Sequence, residues 1–304
     1  MKQKVLVVGA TSTVGEHVVD QLAQAGQLAV VAGVRNEAKG QPFRAKGIAT
    51  VELDLADVDS IRRAVQGVDR IFLLTGYTVE MLNQSKMIVD QAERAGVRHI
   101  VHMGAWAPDD TDLAHFGWHQ FVERYIEGSK LSWTHLAPGM FMQNMLGGGS
   151  LWGSFASSGV AGSRPLHAFT GAGRLGWIAA EDIARVAVAS LHEPGMHAGK
   201  KYNLSVEVRS VAEIAAILSE TLGQPYHAQI HSPEDFYQAL LTSGMEPNYA
   251  ACARETLLRF GHSAIPGQEG MFPFQEIVGA PPISWAAFAR LHSGEFLTLG
   301  DTAE

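Results

Sequence analysis

Apolar and polar positions along this chain fall into blocks that read alternately as strand and helix. Lys4-Val5-Leu6-Val7-Val8 is a short apolar run broken at Gly9, the pattern of a parallel strand buried on both faces. Val14, Val18, Val19 and Leu22 then recur at helical spacing up to Gly26, which predicts a helix with a glycine stop. Ala29–Val34, Thr50–Asp54, Arg70–Leu74, His99–Met103 and Trp133–Leu136 are further strand-like runs. Between them, Ile61, Ala64 and Val65 mark one helical face, and residues 79–95 and 113–128 predict two more helices, the first ended by Gly96. This alternation is that of an α/β protein with a doubly wound parallel sheet, the Rossmann arrangement.

The character changes after Asn144. Residues 145–176 are glycine-rich with little periodicity, so they are expected to be loops and turns over a ligand cleft. Glu181–Val188 returns to a helical pattern and Tyr202–Ser205 to a strand-like one; from Ser210 the chain reads as mainly helical, punctuated at Gly223-Gln224-Pro225 and Ala280-Pro281-Pro282. The expected organisation is a dinucleotide-binding domain over residues 1–150, with a return segment at 177–206. A smaller, partly helical substrate domain over 151–304 would pack on the carboxyl edge of the sheet. No internal repeat or low-complexity tract is visible.

In such sheets ligands lie off the carboxyl ends of the strands. The turn Gly9-Ala10-Thr11-Ser12-Thr13-Val14-Gly15 joins a strand to a helix N-terminus, where free backbone N–H groups and the helix dipole attract phosphate. A plain structural turn is the alternative reading. No Asp or Glu follows the second strand, where selectivity for an unphosphorylated ribose would place one; Arg35-Asn36 stands there instead. A guanidinium matches a ribose 2′-phosphate in charge and fork geometry, so NADP(H) is the expected cofactor. The alternative is a solvated surface arginine. Candidate cofactor contacts at the strand ends are Gly9, Thr11, Ser12, Thr13, Val14, Arg35, Asp54, Leu55, Leu74, Thr75, Gly76, Gly104, Ala105, Pro138, Gly139, Met140 and Phe141.

Composition narrows the classes. The chain has 304 residues and a net charge of −8 with no basic run, which gives nucleic-acid binding no electrostatic support. Its single cysteine, Cys252, excludes an intramolecular disulfide framework and is expected to pack rather than react. No apolar stretch reaches the roughly 20 residues that span a bilayer, and the N-terminus runs straight into a strand without a signal peptide. A cytoplasmic protein is expected, monomeric or homodimeric, without a membrane partner.

The ordered set Gly9–Gly15, Val34-Arg35-Asn36, Ala95–Val101, His119-x-x-x-Glu123, Trp133–Asn144, Asp182-Ile183-Ala184 and Gly279–Phe288 resembles the NmrA-like family of atypical short-chain dehydrogenase/reductases over nearly the whole chain. The His-x-x-x-Glu helix is most similar to the branch holding triphenylmethane reductase and NADPH:quinone oxidoreductases. The resemblance implies a Rossmann fold, NADP(H), and either a reductase or an NADP(H)-binding regulator. Ser12 stands where short-chain dehydrogenases usually carry a middle glycine. Their Tyr-x-x-x-Lys is absent, with His115 and His119 in its place, and Ala137 replaces an arginine common in the family.

Hydride transfer to an acceptor needing little proton help, such as a quinone or cationic dye, fits these departures better than alcohol dehydrogenation. His119 is the candidate polar group near the nicotinamide ribose or acceptor. It could equally be a satisfied core histidine, or a metal ligand with His115 that lacks an evident third partner. No metal is expected. Tyr77 is a candidate phenolic proton donor or a packing residue. Trp106, Met140, Phe141, Met142, Trp152 and Phe155 offer either cleft lining or ordinary core. Three classes stay open: a reductase of a flat apolar small-molecule acceptor, a catalytically silent redox sensor with a protein partner, and another atypical short-chain enzyme such as an epimerase.

Overall fold

A computed structural model describes residues 2–146, 164–262 and 272–298. Seven parallel strands form the central sheet: β1 (Lys4–Val8), β2 (Ala29–Val34), β3 (Ala49–Glu52), β4 (Arg70–Leu73), β5 (His99–Met103), β6 (Ser132–Pro138) and, after three strands outside this sheet, β10 (Lys200–Leu204). Their order is β10-β6-β5-β4-β1-β2-β3. The chain winds outward from β1 to β3, then crosses back to β4 beside β1. That reversal is the switch point at which open α/β sheets bind ligands.

Helices α1 (Thr13–Ala25), α2 (Glu37–Ala45), α3 (Val58–Ala64), α4 (Met81–Ala95) and α5 (Ala114–Glu127) connect these strands. Alternate residues of β1 feed opposite layers. Val5 and Val7 join a core with Val14, Val18 and Leu22 of α1, whereas Leu6 and Val8 join one with Ile61 of α3, Ile88 and Ala92 of α4 and Val122 and Ile126 of α5. Helix α6 (Ala180–His192) completes the first layer through Ile183, Val186 and Ala187. Each fully buried side chain of this size contributes about 1.5–3 kcal/mol.

The first core continues without a break through Trp177, Trp285, Phe288 and Phe296, so the C-terminal elements share it. They are α7 (Pro194–His197), α8 (Val211–Leu222), α9 (Pro233–Thr242), α10 (Pro247–His262), α11 (Phe274–Val278), α12 (Trp285–Leu291) and α13 (Ser293–Thr298). Asp182, fully buried, ties them to α6. Its carboxylate accepts from Ile283 N at 2.6 Å and from Arg185 at 2.7 Å, and Arg185 also donates to Pro281 O. The two sequence motifs Asp182-Ile183-Ala184 and Gly279–Phe288 are thus the two halves of one structural latch.

Five short strands differ from expectation. β7 (Met140–Phe141), β9 (Leu175–Ile178) and β11 (Glu207–Arg209) form one small sheet, and β8 (Arg164–Ala168) pairs in parallel with β12 (Tyr226–Ile230). Residues 164–176 had been expected to be loop and 226–230 helical. Pro165 sits in β8, tolerated because a two-stranded ribbon consists only of edges, and it erases the strand pattern. The 150/151 boundary, Trp152 and Phe155 lie outside the described residues.

Candidate active site

The turn after β1 closes tightly. Gly9 has φ +77°, Ser12 N donates to Gly9 O at 2.9 Å, and a Cβ on Gly15 would lie 2.1 Å from that same oxygen. A Cβ on Gly9 would lie 2.7 Å from Leu74 O, so the turn rests on the end of β4. Ser12 is the N-cap of α1, with φ −84° and ψ 161°, and its Oγ accepts from Gly15 N at 3.0 Å. This is extended backbone that any residue adopts, which explains why serine serves where a glycine is usual. The N–H groups of Thr13 and Val14 have no partners within the helix and are left free at the N-terminus of α1.

Arg35 follows β2, the neighbour of β1. It is exposed and makes no hydrogen bond or ion pair among the described residues. Asn36 is committed to capping α2, accepting from Lys39 N at 3.0 Å. Beyond β3, the Asp54 carboxylate accepts from Ala56 N, and Asp54 N donates to Ser60 Oγ, so this residue shapes its own turn beside half-buried Leu55. Leu74 and Thr75 are half-buried at the end of β4, and Gly76 is exposed, with open space where a Cβ would stand.

The opposite wall comes from the ends of β5 and β6. Gly104 N donates to Leu136 O at 2.8 Å, Trp106 N to Pro138 O at 3.1 Å and Gly139 N to Leu204 O at 3.0 Å. Gly139 must be glycine, since its Cβ would meet Gly176 O at 2.4 Å. Ala105, Met140 and Phe141 are half-buried beside these turns. Trp106 and Met142 are buried, Met142 within the first core.

Helix α5 carries the polar candidates. His115 and His119, 9 % and 7 % exposed, have ring centroids 5.0 Å apart; His119 lies 6.3 Å from His102 of β5, which lies 5.3 Å from His135 of β6. Both nitrogens of His102 and His135, and Nδ1 of His115 and His119, are sealed from solvent without a hydrogen-bond partner. Burial first, and then the repulsion a protonated ring would meet from His115, His102 and Lys201, hold His119 well below the usual imidazole range. His119 is therefore neutral at physiological pH. The ordinary titration near 6.5 expected of an unperturbed histidine does not apply.

Glu123, one turn beyond His119, is 4 % exposed. Its Oε2 accepts from Lys201 of β10 at 2.7 Å, while Oε1 is unpartnered and would lie 3.1 Å from a Cβ on Gly104. Burial raises the Glu123 carboxyl and Lys201 opposes that rise. Tyr77 is 52 % exposed and stacks on Tyr249 of α10 at 5.3 Å. No group of three or more His, Cys, Asp or Glu is arranged to hold a metal among the described residues, and none of their helices is long and apolar enough to cross a membrane. Cys252 is half-buried and free.

The NmrA-like family model matches residues 1–264. The chain belongs to the NmrA-like family. A NAD(P)H azoreductase of Xenophilus azovorans is 30% identical over 294 residues, covering 96% of this chain and 99% of the relative. Quinone oxidoreductase 2 of Escherichia coli strain K12 is 29% identical over 252 residues, 81% of this chain and 84% of the relative. Among solved structures, the Citrobacter sp. triphenylmethane reductase complexed with NADP(H) superposes with a TM-score of 0.78 at 22% identity, covering 94% of this chain and 99% of that one. The negative transcriptional regulator NmrA in complex with NAD gives 0.67 at 17%, covering 99% and 95%. These NmrA-like structures share the Rossmann fold seen here.

Lys201 and Tyr249 were not among the sequence candidates. Each reaches the site from a distant element, and neither sits in a local motif that would mark it.

Proposed function

We propose that this NmrA-like protein is an NADPH-dependent reductase that delivers a hydride to a flat, apolar acceptor such as a quinone. The observation that carries the reading is the unpaired Arg35 at the end of β2, beside a tight glycine turn that leads into the N-terminus of α1. Gly9, Thr11, Ser12, Thr13 and Val14 would hold the pyrophosphate, and Arg35 the 2′-phosphate. Leu74, Thr75, Gly76, Gly104, Ala105, Pro138 and Gly139 would flank the nicotinamide half, with Asp54 and Leu55 beside the adenine. When bound, the cofactor supplies the hydride; the chain supplies binding and orientation. The names of the azoreductase and quinone oxidoreductase relatives support an acceptor of this class.

His119, sealed at Nδ1 and neutral, orients ribose or acceptor rather than acting as an imidazolium acid. A silent redox sensor is the second reading, favoured by the missing Tyr-x-x-x-Lys and by the NADP complex of the NmrA regulator. The deciding experiment follows NADPH and NADH oxidation by the purified protein with quinones, dyes and enones, alongside binding of each cofactor without acceptor. Turnover with at least one quinone, faster with NADPH, is expected. Tight NADPH binding with no consumption across the panel would replace the reductase with the sensor.

A further inference from the structure

Three elements distant in sequence bring aromatic rings together beside the carboxyl end of β4. Tyr77 follows β4 at the switch point, His115 lies on α5 one turn before His119, and Tyr249 lies on α10. Tyr249 stacks on Tyr77 at 5.3 Å and 30°, and its plane stands at 82° to His115 at 5.2 Å. His115 in turn meets Trp118 edge-on at 6.0 Å. Helix α10 is pinned at its far end: Phe260 is buried, its carbonyl fills the place of a Cβ on Gly173, and Arg259 Nη2 donates to Asp112 Oδ2 at 3.0 Å. The helix therefore holds Tyr249 at a fixed height over α5.

Tyr77 is half exposed even though one of its faces is covered by Tyr249. A ring that large, at a ligand-binding strand end and supported from behind, offers its remaining face to a second ring. No Lys, Arg, Asp or Glu takes part in these ring contacts, and burial keeps His115 uncharged. We infer that Tyr77, Tyr249 and His115 form an acceptor subsite for a neutral, planar, fused-ring compound, with Tyr249 as the specificity-determining residue that positions Tyr77. Offset or edge-on ring contacts of this kind add to the gain from area burial alone, so a two-ring acceptor gains more from the platform than a one-ring acceptor. This inference rests on the reductase reading for its acceptor, and its test separates the two.

The probes are 1,4-naphthoquinone and p-benzoquinone, used first as ligands of the cofactor-free protein by calorimetry and then as acceptors with NADPH. Tyr249→Leu should weaken naphthoquinone binding and raise its KM about fivefold to tenfold, with a smaller effect on kcat. The naphthoquinone-to-benzoquinone ratio of kcat/KM should fall accordingly. Tyr249→Phe, which keeps the ring, should retain the preference, and NADPH affinity should be the same in both variants. Tyr77→Leu should reproduce the loss, with an unchanged melting temperature showing that the variant is folded.

Naphthoquinone binding that is undetectable in the parent protein, or unchanged in both leucine variants, overturns the subsite. So does a Tyr249→Phe loss as large as that of Tyr249→Leu. If neither quinone is reduced but naphthoquinone still binds and the leucine variants lose it, the subsite stands and the reductase reading fails.

Discussion

Lys201 donates to Glu123 Oε2 at 2.7 Å, joining β10 to α5 across 78 residues of chain. The carboxylate is the more deeply buried partner, with a side chain 6 % exposed against 29 % for the lysine. Removing the lysine strands a charge away from water, whereas removing the carboxylate leaves an ammonium that can turn toward solvent. Lys201→Met should therefore destabilise more than Glu123→Gln, at or somewhat below the about 3–5 kcal/mol of a fully buried pair. Glu123→Leu combined with Lys201→Met should recover part of that loss. Urea unfolding of the three variants checks this, and equal losses for the two single variants would show that the pair is solvated.

In the proposed reading, cofactor choice rests on Arg35. A charge-assisted contact to the 2′-phosphate is worth about 1.5–3 kcal/mol, so NADPH should bind on the order of tenfold or more tighter than NADH. Arg35→Ala should erase most of this preference and leave NADH affinity nearly unchanged, as read by fluorescence titration with each cofactor. An equal loss for both cofactors would make Arg35 a structural residue.

The phosphate turn permits a substitution that separates binding from folding. Thr13 is the first residue of α1 and Ser12 before it is extended, the conformation a residue preceding proline prefers. Proline is well accepted at the first helical position, where the lost N–H has no helical partner. Thr13→Pro should keep the melting temperature while weakening dinucleotide binding sharply, because the missing N–H faces the phosphate. Ser12→Gly should cost only a few tenths of a kcal/mol and Ser12→Ala about 1 kcal/mol through loss of the cap. Full affinity in Thr13→Pro would move the pyrophosphate elsewhere.

Much of this architecture is legible before any coordinates. Val5–Val8 and Ile71–Leu73 are buried on both faces, so they leave uninterrupted apolar runs, and Gly9 and Gly26 mark the breaks. Arg35 stands out because it follows directly after a strand, the position at which a ribose contact is expected. Lys201, Tyr249 and the Asp182 latch do not, since each acquires its partner through tertiary packing that leaves no periodic trace. The burial of His119 was equally hidden: one face of α5 is closed by His102 and His135 of neighbouring strands, and helical spacing alone does not say what covers a face.

His119 bears on the kinetic pH profile. An imidazole held well below its usual range by burial stays neutral from pH 6 to 8, so turnover should show no inflection near 6.5 that His119→Ala removes. The variant should still lose roughly ten- to a hundredfold in rate, the effect of a lost orienting contact, with folding intact; general acid catalysis would contribute 10²–10⁴-fold. A parent profile that falls with rising pH near 6.5, abolished in His119→Ala, would restore the acid role.

The same burial makes the protein sensitive to acid in a way its carboxylates do not explain. His99 and His115 are lowered to about 4 and His135 to about 3, all chiefly by burial, and His102 and His119 lie well below the usual range for the same reason. Unfolded histidines take up protons below about 6.5. Between that value and the native values, the unfolded chain binds more protons than the folded one, so stability rises with pH and is lost on acidification. Each histidine contributes a slope of up to about 1.4 kcal/mol per pH unit in that window. His292 acts in the opposite sense, because Glu181 raises it, but it is one group against these five and against His167, His192 and His197, which burial also lowers. Unfolding free energy should therefore drop steeply from pH 7 to pH 5, with a proton uptake of several per molecule. His102→Gln and His135→Gln should each flatten the slope by up to one proton. A melting temperature that is level across this range, measured by calorimetry, would show that these imidazoles are hydrated and charged in the folded protein.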